Sequence, residues 1–226
     1  IENFSSLSEN TLEEIEKKEK SYRILVNSNE LRRLRIIADL QIMPFFLQKT
    51  ESTKDLLLTD LQYFRYLRGE SRIPDATKMK AFEESAYNKF FHWFLEFPEV
   101  FQQGGFNCVL GNPPYLGGKR ISGYYGESYL NYLKTIYAPS EGSVDLISYF
   151  VRRYHSIISK GSIASFISTN SISQGDTKKS CLDFILQNQS EIIFAHKNIR
   201  WPGLAAVDVT LLSLYQGIWE RPKFIK

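Results

Sequence analysis

The chain has 226 residues, enough for one or two domains, and its apolar fraction of 43% is that of a globular protein. Two cysteines and three scattered histidines argue against a disulfide framework or a metal site. No signal peptide and no membrane-spanning apolar run is visible, which predicts a cytoplasmic protein without a membrane partner. The net charge of +3 permits nucleic-acid binding but does not argue for it.

The first hundred residues predict a helical region. Thr11-Leu12-Glu13-Glu14 fits a capping box, in which the threonine hydroxyl and the Glu14 carboxylate bind early backbone N–H groups. Further helices are predicted from apolar stripes at helical spacing, whose aromatic residues we expect to pack in a core. The stripes are Leu31, Leu34, Ala38 and Ile42, ending at Pro44; Leu57, Leu61 and Phe64, ending near Gly69; and Phe82, Ala86, Phe90, Trp93 and Phe97, in one helix ended by Pro98.

A short strand running into an Asn-Pro-Pro-Tyr turn follows the helical region. Residues 106–111 are predicted to be a buried, central strand in which Cys108 is a small apolar residue. Pro113 and Pro114 lack an N–H, so ladder pairing must stop at Asn112, and each proline holds the residue before it extended. The result is a stiff loop at the carboxyl end of a strand, where open α/β sheets bind ligands.

This turn presents groups that suit methylation of an exocyclic amine. The lone pair of the adenine amine is delocalised into the ring, so the amine is a poor nucleophile. The Asn112 side-chain oxygen and the Pro113 carbonyl could accept its two N–H bonds and stabilise the developing positive charge. Tyr115 could stack on a base that has left the duplex. The alternative is an ordinary tight turn with an aromatic residue at its exit.

The rest of the chain predicts strands alternating with helices. Residues 116–142 suggest a long loop with one short helix near 129–137, either a lid that contacts substrate or a surface insertion. Alternation of this kind indicates a mostly parallel α/β sheet. The predicted elements are a helix from Asp145 to Ile158 closed by Gly161, a strand at 163–167, a helix at 181–188, and strands at 192–195 and 207–215.

At this point the residues resemble a known family, the amino-methylating DNA methyltransferases that modify adenine N6. The closest likeness is to the methylase part of the large bifunctional type II restriction-modification enzymes, and it covers about residues 90–215. The segments that carry it are 94–101, 104–115 with the Asn-Pro-Pro-Tyr turn, Asp145-Leu146 with Tyr149-Phe150, 161–170 with Gln174-Gly175, and Ala195, Trp201-Pro202, Ala206 and Val207. Asn107 departs from the aspartate that is usual there.

The resemblance implies a base-flipping enzyme that uses S-adenosylmethionine and binds double-stranded DNA. It also implies that the catalytic turn consists of Asn112, Pro113, Pro114 and Tyr115. Trp201 matches as the aromatic residue that would enclose the flipped adenine opposite Tyr115, and base–aromatic stacking contributes about 1–3 kcal/mol per base. The alternative for Trp201 is a partly buried loop tryptophan.

One departure from the family is large. The family's cofactor motif, an acidic residue and a glycine-rich turn after the first strand, has no counterpart before Asn112. We therefore expect residues 101–226 to be the catalytic half of a class I methyltransferase domain with a partial Rossmann-like sheet. Residues 1–100 would be a helical insertion between the cofactor and catalytic halves. Such a fragment is expected to bind cofactor weakly or not at all, to be inactive alone, and to self-associate through exposed sheet edges.

Two other functions share these motifs. Protein and RNA amino-methyltransferases use the same turn, because a glutamine amide poses the same lone-pair problem, although residues 97–101 and Trp201-Pro202 fit the DNA enzymes better. The other alternative is a non-catalytic module that packs against or recognises DNA, since a likeness in fold does not prove function.

Overall fold

A computed structural model describes residues 7–201 and 207–226 of the chain. By internal contacts the chain divides into two compact units, Ile1–Glu99 and Val100–Lys226. Over the described residues, the first unit is built of helices and the second contains the sheet.

The first unit contains the helices α1 (Leu12–Val26), α2 (Asn29–Ile42), α3 (Asp60–Leu67) and α4 (Asp75–Asn88). The capping box predicted at α1 is confirmed. Thr11 Oγ1 accepts from the Glu14 N–H, and Glu14 Oε2 accepts from the Thr11 N–H. Helix α2 stops before Pro44, as predicted, because proline cannot supply the N–H that would continue an α-helix.

The single helix predicted through Phe82 and Phe97 is wrong. Helix α4 ends at Asn88, and Lys89 follows in the left-handed region with φ +53°. Left-handed residues commonly end helices, although glycine is usual there. A one-turn helix, α5 (Trp93–Glu96), comes next, and Pro98 opens α6 (Pro98–Gln102) rather than closing a helix.

The core of the first unit also differs from the predicted apolar stripes. Phe64 on α3 and Phe82 on α4 are 53% and 68% exposed, so the expectation that both pack in a core is wrong. On α3 the tyrosines Tyr63 and Tyr66 pack inward instead. Two apolar stripes share this helix, Tyr63 with Tyr66 and Leu61 with Phe64, and periodicity does not say which of them faces the core. The buried core residues are Leu40, Met43, Leu47, Ile73 and Ala81.

A buried carboxylate joins three segments of the first unit. Asp39 on α2 is 5% exposed. Its Oδ1 accepts from Ser85 Oγ on α4 at 2.9 Å and lies 2.7 Å from His92 Nε2, just before α5. Both contacts thus reach the same carboxylate oxygen. The broken helix is thus fixed to α2 on both sides of the break.

Alanine at Asp39 is expected to lower the free energy of unfolding of this unit by about 1–3 kcal/mol, because two partly buried donors lose their acceptor. Urea unfolding followed by circular dichroism measures this loss. The matched control is Asp55→Ala, since Asp55 is exposed in a single 3₁₀ turn. Equal unfolding midpoints for the two variants would show that the Asp39 cluster does not stabilise the unit.

The second unit contains a mixed sheet. Its described strands are β1 (Phe106–Gly111), β2 (Ile158–Thr169), β3 (Ser190–Arg200), β4 (Asp208–Gln216) and β5 (Phe224–Ile225), in the order β1-β2-β4-β3-β5. This confirms the predicted α/β class. The expectation of a mostly parallel sheet is wrong, because β4 pairs antiparallel with both β2 and β3. Alternating strands and helices predict parallel pairing, but only seven residues lie between β3 and β4, too few for the crossover that a parallel pair needs.

The second unit also contains helices. The short helix predicted near 129–137 is confirmed as α8 (Glu127–Ile136), whereas the long loop predicted around it is wrong, because α7 (Gly118–Tyr125) also forms there. Helix α9 (Leu146–Ile157) confirms the predicted helix, although it passes directly into β2 and is not closed by Gly161. A helical segment follows with α10 (Gly175–Lys178), a π turn at 179–183 and α11 (Phe184–Gln187). No helix among the described residues is long and apolar enough to cross a membrane.

Strand β1 lies at an edge of the described sheet, beside β2 alone. Cys108 is exposed and Leu110 is 82% exposed, so the expectation of a buried central strand with a buried Cys108 is wrong. The apolar residues of β1 predict a strand that other segments cover. Its own sequence does not show whether a neighbouring strand pairs on one side or on both. The core lies against the other strands and includes Ile147, Val151, Phe166, Ile185, Leu212 and Leu214.

Candidate active site

The Asn-Pro-Pro-Tyr turn and Trp201, which the sequence singles out, lie at one edge of the sheet, namely the edge at which β1, β2 and β3 end. Strands β1 and β2 are parallel, and β3 runs in the same direction because both β2 and β3 are antiparallel to β4. Asn112, Asn170 and Trp201 directly follow β1, β2 and β3, respectively. The carboxyl ends of strands form the ligand-binding edge of open α/β sheets.

The Asn112-Pro113-Pro114-Tyr115 turn leaves the sheet at the end of β1. The last paired residue of β1 is Gly111, opposite Phe166 of β2. Pro113 is buried, whereas the other three residues of the turn are exposed. The buried proline ring anchors the turn, while the Asn112 amide and the Tyr115 ring remain accessible from solvent.

The Tyr115 hydroxyl connects the turn to the neighbouring strand. It lies 2.5 Å from Asn112 Oδ1 and 3.2 Å from the Ile167 carbonyl oxygen of β2, so its single proton is shared between two acceptors. Burial, and then the nearby Tyr154 phenol, raise the pKa of Tyr115 above its ordinary value. The hydroxyl is therefore protonated at neutral pH and donates.

The exit of the turn is held by the amino end of α9. Asp145 is the N-cap of that helix, and its Oδ1 accepts from the Ile147 N–H at 3.1 Å and from the Leu116 N–H at 3.3 Å. The Leu146 N–H donates in turn to the Leu116 carbonyl at 2.9 Å. Sequence reasoning missed this anchor, although an aspartate directly before an apolar helical run is an N-cap signal.

A second support behind the turn is Tyr154 of α9. A Cβ built on Gly111 would overlap the Tyr154 hydroxyl and lie 3.0 Å from its ring carbon Cζ. The Tyr154 ring packs against the sheet core, with its centroid 6.4 Å from that of Phe166. Glycine is therefore required at the residue before Asn112. No local sequence signal identifies this contact, because Tyr154 is distant along the chain.

Trp201 lies at the same edge, beyond the end of β3. The residue is half-buried, and its N–H donates to the Val207 carbonyl at 3.0 Å. Pro202 and Ala206, which belong to the segment that resembles the family, lie outside the described residues. The structure thus brings Trp201 and the turn to one edge, separated by the ends of β2 and β4.

The described residues do not form a site for S-adenosylmethionine. A glycine-rich turn between a strand and a helix is the usual cradle in Rossmann-like domains, and every described element before β1 is a helix. Gly104 and Gly105 precede β1 instead, and a Cβ on Gly105 would lie 2.5 Å from the Ile157 carbonyl, so this glycine serves chain packing. Over residues 7–201 and 207–226, no three histidine, cysteine or acidic residues group as metal ligands do.

Comparison with known proteins places these features in context. The family model described as Eco57I restriction-modification methylase matches residues 10–198. No curated protein sequence matches the chain. Among solved structures, the Type IIL restriction-modification enzyme MmeI in complex with DNA is similar at 23% identity and a TM-score of 0.43, over 50% of this chain and 16% of that one. A class I S-adenosylmethionine-dependent methyltransferase of Listeria monocytogenes is similar at 14% identity and a TM-score of 0.40, over 54% of this chain and 36% of that one.

Proposed function

The chain belongs to the Eco57I restriction-modification methylase family, and on this premise we propose that its parent enzyme methylates adenine N6 in double-stranded DNA. The family match confirms the predicted resemblance at the level of a restriction-modification methylase. The observation that supports adenine N6 as the target is a hydrogen-bond acceptor, Asn112 Oδ1, at the edge of the sheet where β1 ends. Asn112 Oδ1 lies at the end of β1 and already accepts a hydrogen bond from Tyr115 at 2.5 Å.

The turn would act on the amino group by accepting its hydrogens. The adenine amine resists attack on a methyl group because its lone pair is shared with the ring. Asn112 Oδ1 and the Pro113 carbonyl, aimed at the two N–H bonds, favour a more tetrahedral nitrogen and stabilise the positive charge that develops on it. Pro113 and Pro114 contribute rigidity, because both acceptors are held in place before the base arrives.

Base flipping is supported by two aromatic residues at this edge. Adjacent strands lie about 4.8 Å apart, so three steps from β1 to β3 put the two strand ends about 14 Å apart. Two aromatic side chains with a base between them can fill such a gap. We propose that Tyr115 and Trp201 enclose the extruded adenine, while the Asn112 oxygen receives its amine.

The charge of the second unit supports DNA as the partner. Residues 100–226 contain thirteen Lys and Arg against eight Asp and Glu, which gives this unit a net charge of +5. Lys119 and Arg120 are exposed at the start of α7, only a few residues beyond Tyr115. Cations beside the base pocket would neutralise phosphates that flank the flipped nucleotide.

The described residues contain no glycine-rich turn of the kind that binds the cofactor, which supports the proposal that another part of a larger protein binds it. The chain spans less than two fifths of either similar solved structure. We propose that residues 101–226 are the catalytic half and that residues 1–100 are an insertion between the two halves. S-adenosylmethionine, held by the other half, would supply the methyl group. The described residues hold and polarise the base.

The test is transfer of a labelled methyl group from S-adenosylmethionine to DNA by the full-length parent, followed by digestion to nucleosides. The expected label is on N6-methyladenine. The isolated chain is expected to give no label, because it lacks the cofactor half. Label on cytosine, or on protein or RNA with none on DNA, would contradict the proposal, and turnover by the isolated chain would contradict the division of labour.

A further inference from the structure

Asn170, which directly follows β2, connects the ends of three strands through its side chain. Its Nδ2 donates to Asn198 Oδ1 of β3 at 2.8 Å, and its Oδ1 accepts from Thr210 Oγ1 of β4 at 2.6 Å. Thr210 is only 2% exposed. Because the amide donates with one end and accepts with the other, its orientation is fixed by its two partners.

The partner in β3 sits at an irregularity of that strand. The pairing of β3 with β4 shifts register between His196 and Ile199, and Asn198 lies within the shift with φ +56°. The left-handed region is uncommon for residues other than glycine, although asparagine tolerates it. Bulges of this kind redirect a strand and occur often beside active sites. The hydrogen bond from Asn170 therefore holds the residue at which β3 changes direction.

The direction of β3 after the bulge determines where Trp201 lies. Trp201 is three positions beyond Asn198, and its N–H donates to the Val207 carbonyl, which extends the pairing of the two chain segments past the end of β3. A change in the backbone at Asn198 would therefore be passed to Trp201 through two intervening residues.

We propose that Asn170 is a positioning residue that, through Asn198, holds Trp201 against the extruded base. This inference rests on the proposed function, in which Trp201 and Tyr115 enclose the flipped adenine. The role differs from that of Asn112, which would contact the reacting amine itself. Asn170 acts on the equilibrium between the stacked and the extruded base, because a displaced Trp201 offers less stacking.

The experiment measures methyl transfer by the full-length parent and by its Asn170→Ala and Asn198→Gly variants. Glycine adopts positive φ without strain, so Asn198→Gly removes the amide and keeps the backbone conformation. The matched control is Asn188→Ala, whose side chain donates to the Phe184 carbonyl at the end of α11. Each enzyme is assayed on a duplex with a paired target adenine and on one in which that adenine faces a mismatched base. Thermal unfolding is measured in parallel.

Both variants are expected to lower kcat/KM about tenfold on the paired duplex, as for partial loss of one stacking contact. The mismatched duplex should recover most of this loss, because an unpaired base costs less to extrude. Asn188→Ala should match the wild type on both duplexes.

Unchanged kinetics for Asn170→Ala on the paired duplex would overturn the inference. An equal loss on both duplexes would overturn it as well, because a purely structural defect does not depend on how the target base is paired. Failure of the wild-type enzyme to methylate adenine in either duplex would remove the proposed function and this inference together. The wild-type assay therefore separates the two claims.

Discussion

Alanine at Asn112 is expected to lower kcat for methyl transfer by the full-length parent about 10²–10³-fold, the usual effect of removing one preorganised group that stabilises transition-state charge. In the proposed mechanism, Asn112 Oδ1 at the end of β1 accepts a hydrogen bond from the amine of the target base. Single-turnover transfer of a labelled methyl group measures the chemical step directly. DNA affinity should change little, because the contact is strongest when charge develops on the nitrogen.

The matched control is Asn107→Ala, an exposed asparagine on the same strand. It should leave single-turnover rates within about twofold of the wild type, since a surface substitution of this kind has small effects. A comparable loss in the two variants would mean that disturbance of β1, rather than the Asn112 oxygen, limits the reaction. Wild-type activity in Asn112→Ala would exclude the proposed role of the turn.

Alanine at Gly111 is expected to cost about 1–3 kcal/mol of stability, the usual cost of overpacking. It should also lower methyl transfer about 10²-fold, since a displacement of about 1 Å at a reacting group has effects of that size. The added Cβ would overlap the Tyr154 hydroxyl. Relief requires either the Tyr154 ring or the end of β1 to move, and Asn112 is attached to the end of β1. Urea unfolding of the chain and single-turnover transfer by the parent measure the two effects.

Two further variants test whether the overlap with Tyr154, rather than the replacement of any glycine in this segment, causes the two losses. Gly117 has no atom within 4 Å of its built Cβ, so Gly117→Ala should retain stability and activity. Adding Tyr154→Phe to Gly111→Ala removes the overlapping hydroxyl and should recover part of both losses, although Cζ remains at 3.0 Å. No recovery in the double variant would show that Tyr154 is not what excludes a side chain at Gly111.

The sequence predicted those parts of the structure that single residues impose on the local backbone. Pro113 and Pro114 end β1 because neither carries an N–H, and the Thr11–Glu14 box begins α1 through bonds within one turn. The order of strands and helices from Asp145 onward followed from apolar runs separated by turn residues. These signals are local, so one sequence is enough to read them.

The features that the sequence did not predict are mainly contacts between residues that are distant along the chain. The support of Gly111 by Tyr154 and the bonds from Asn170 to Asn198 and Thr210 depend on how helices and strands assemble. The break after α4 was missed because Phe82 and the later aromatic residues keep a helical spacing through the left-handed Lys89. Aromatic content predicted burial, yet Phe82 is mostly exposed.

The hydrogen bond between Tyr115 and Asn112 has a consequence for base discrimination. The amide oxygen is not an empty acceptor, because the phenol already supplies a proton to it at 2.5 Å. The oxygen has a second lone pair, so in the proposed enzyme an entering amine can add its own N–H bond without displacing the phenol. Thymine brings a single N–H, at ring N3, where an exocyclic amine brings two, so either Asn112 Oδ1 or the Pro113 carbonyl would be left without a donor from the base, at a cost of about 1–3 kcal/mol. In the proposed enzyme, the tyrosine thus holds the amide oxygen in place before the base arrives, and the pair of acceptors favours a base that carries two hydrogens on one nitrogen.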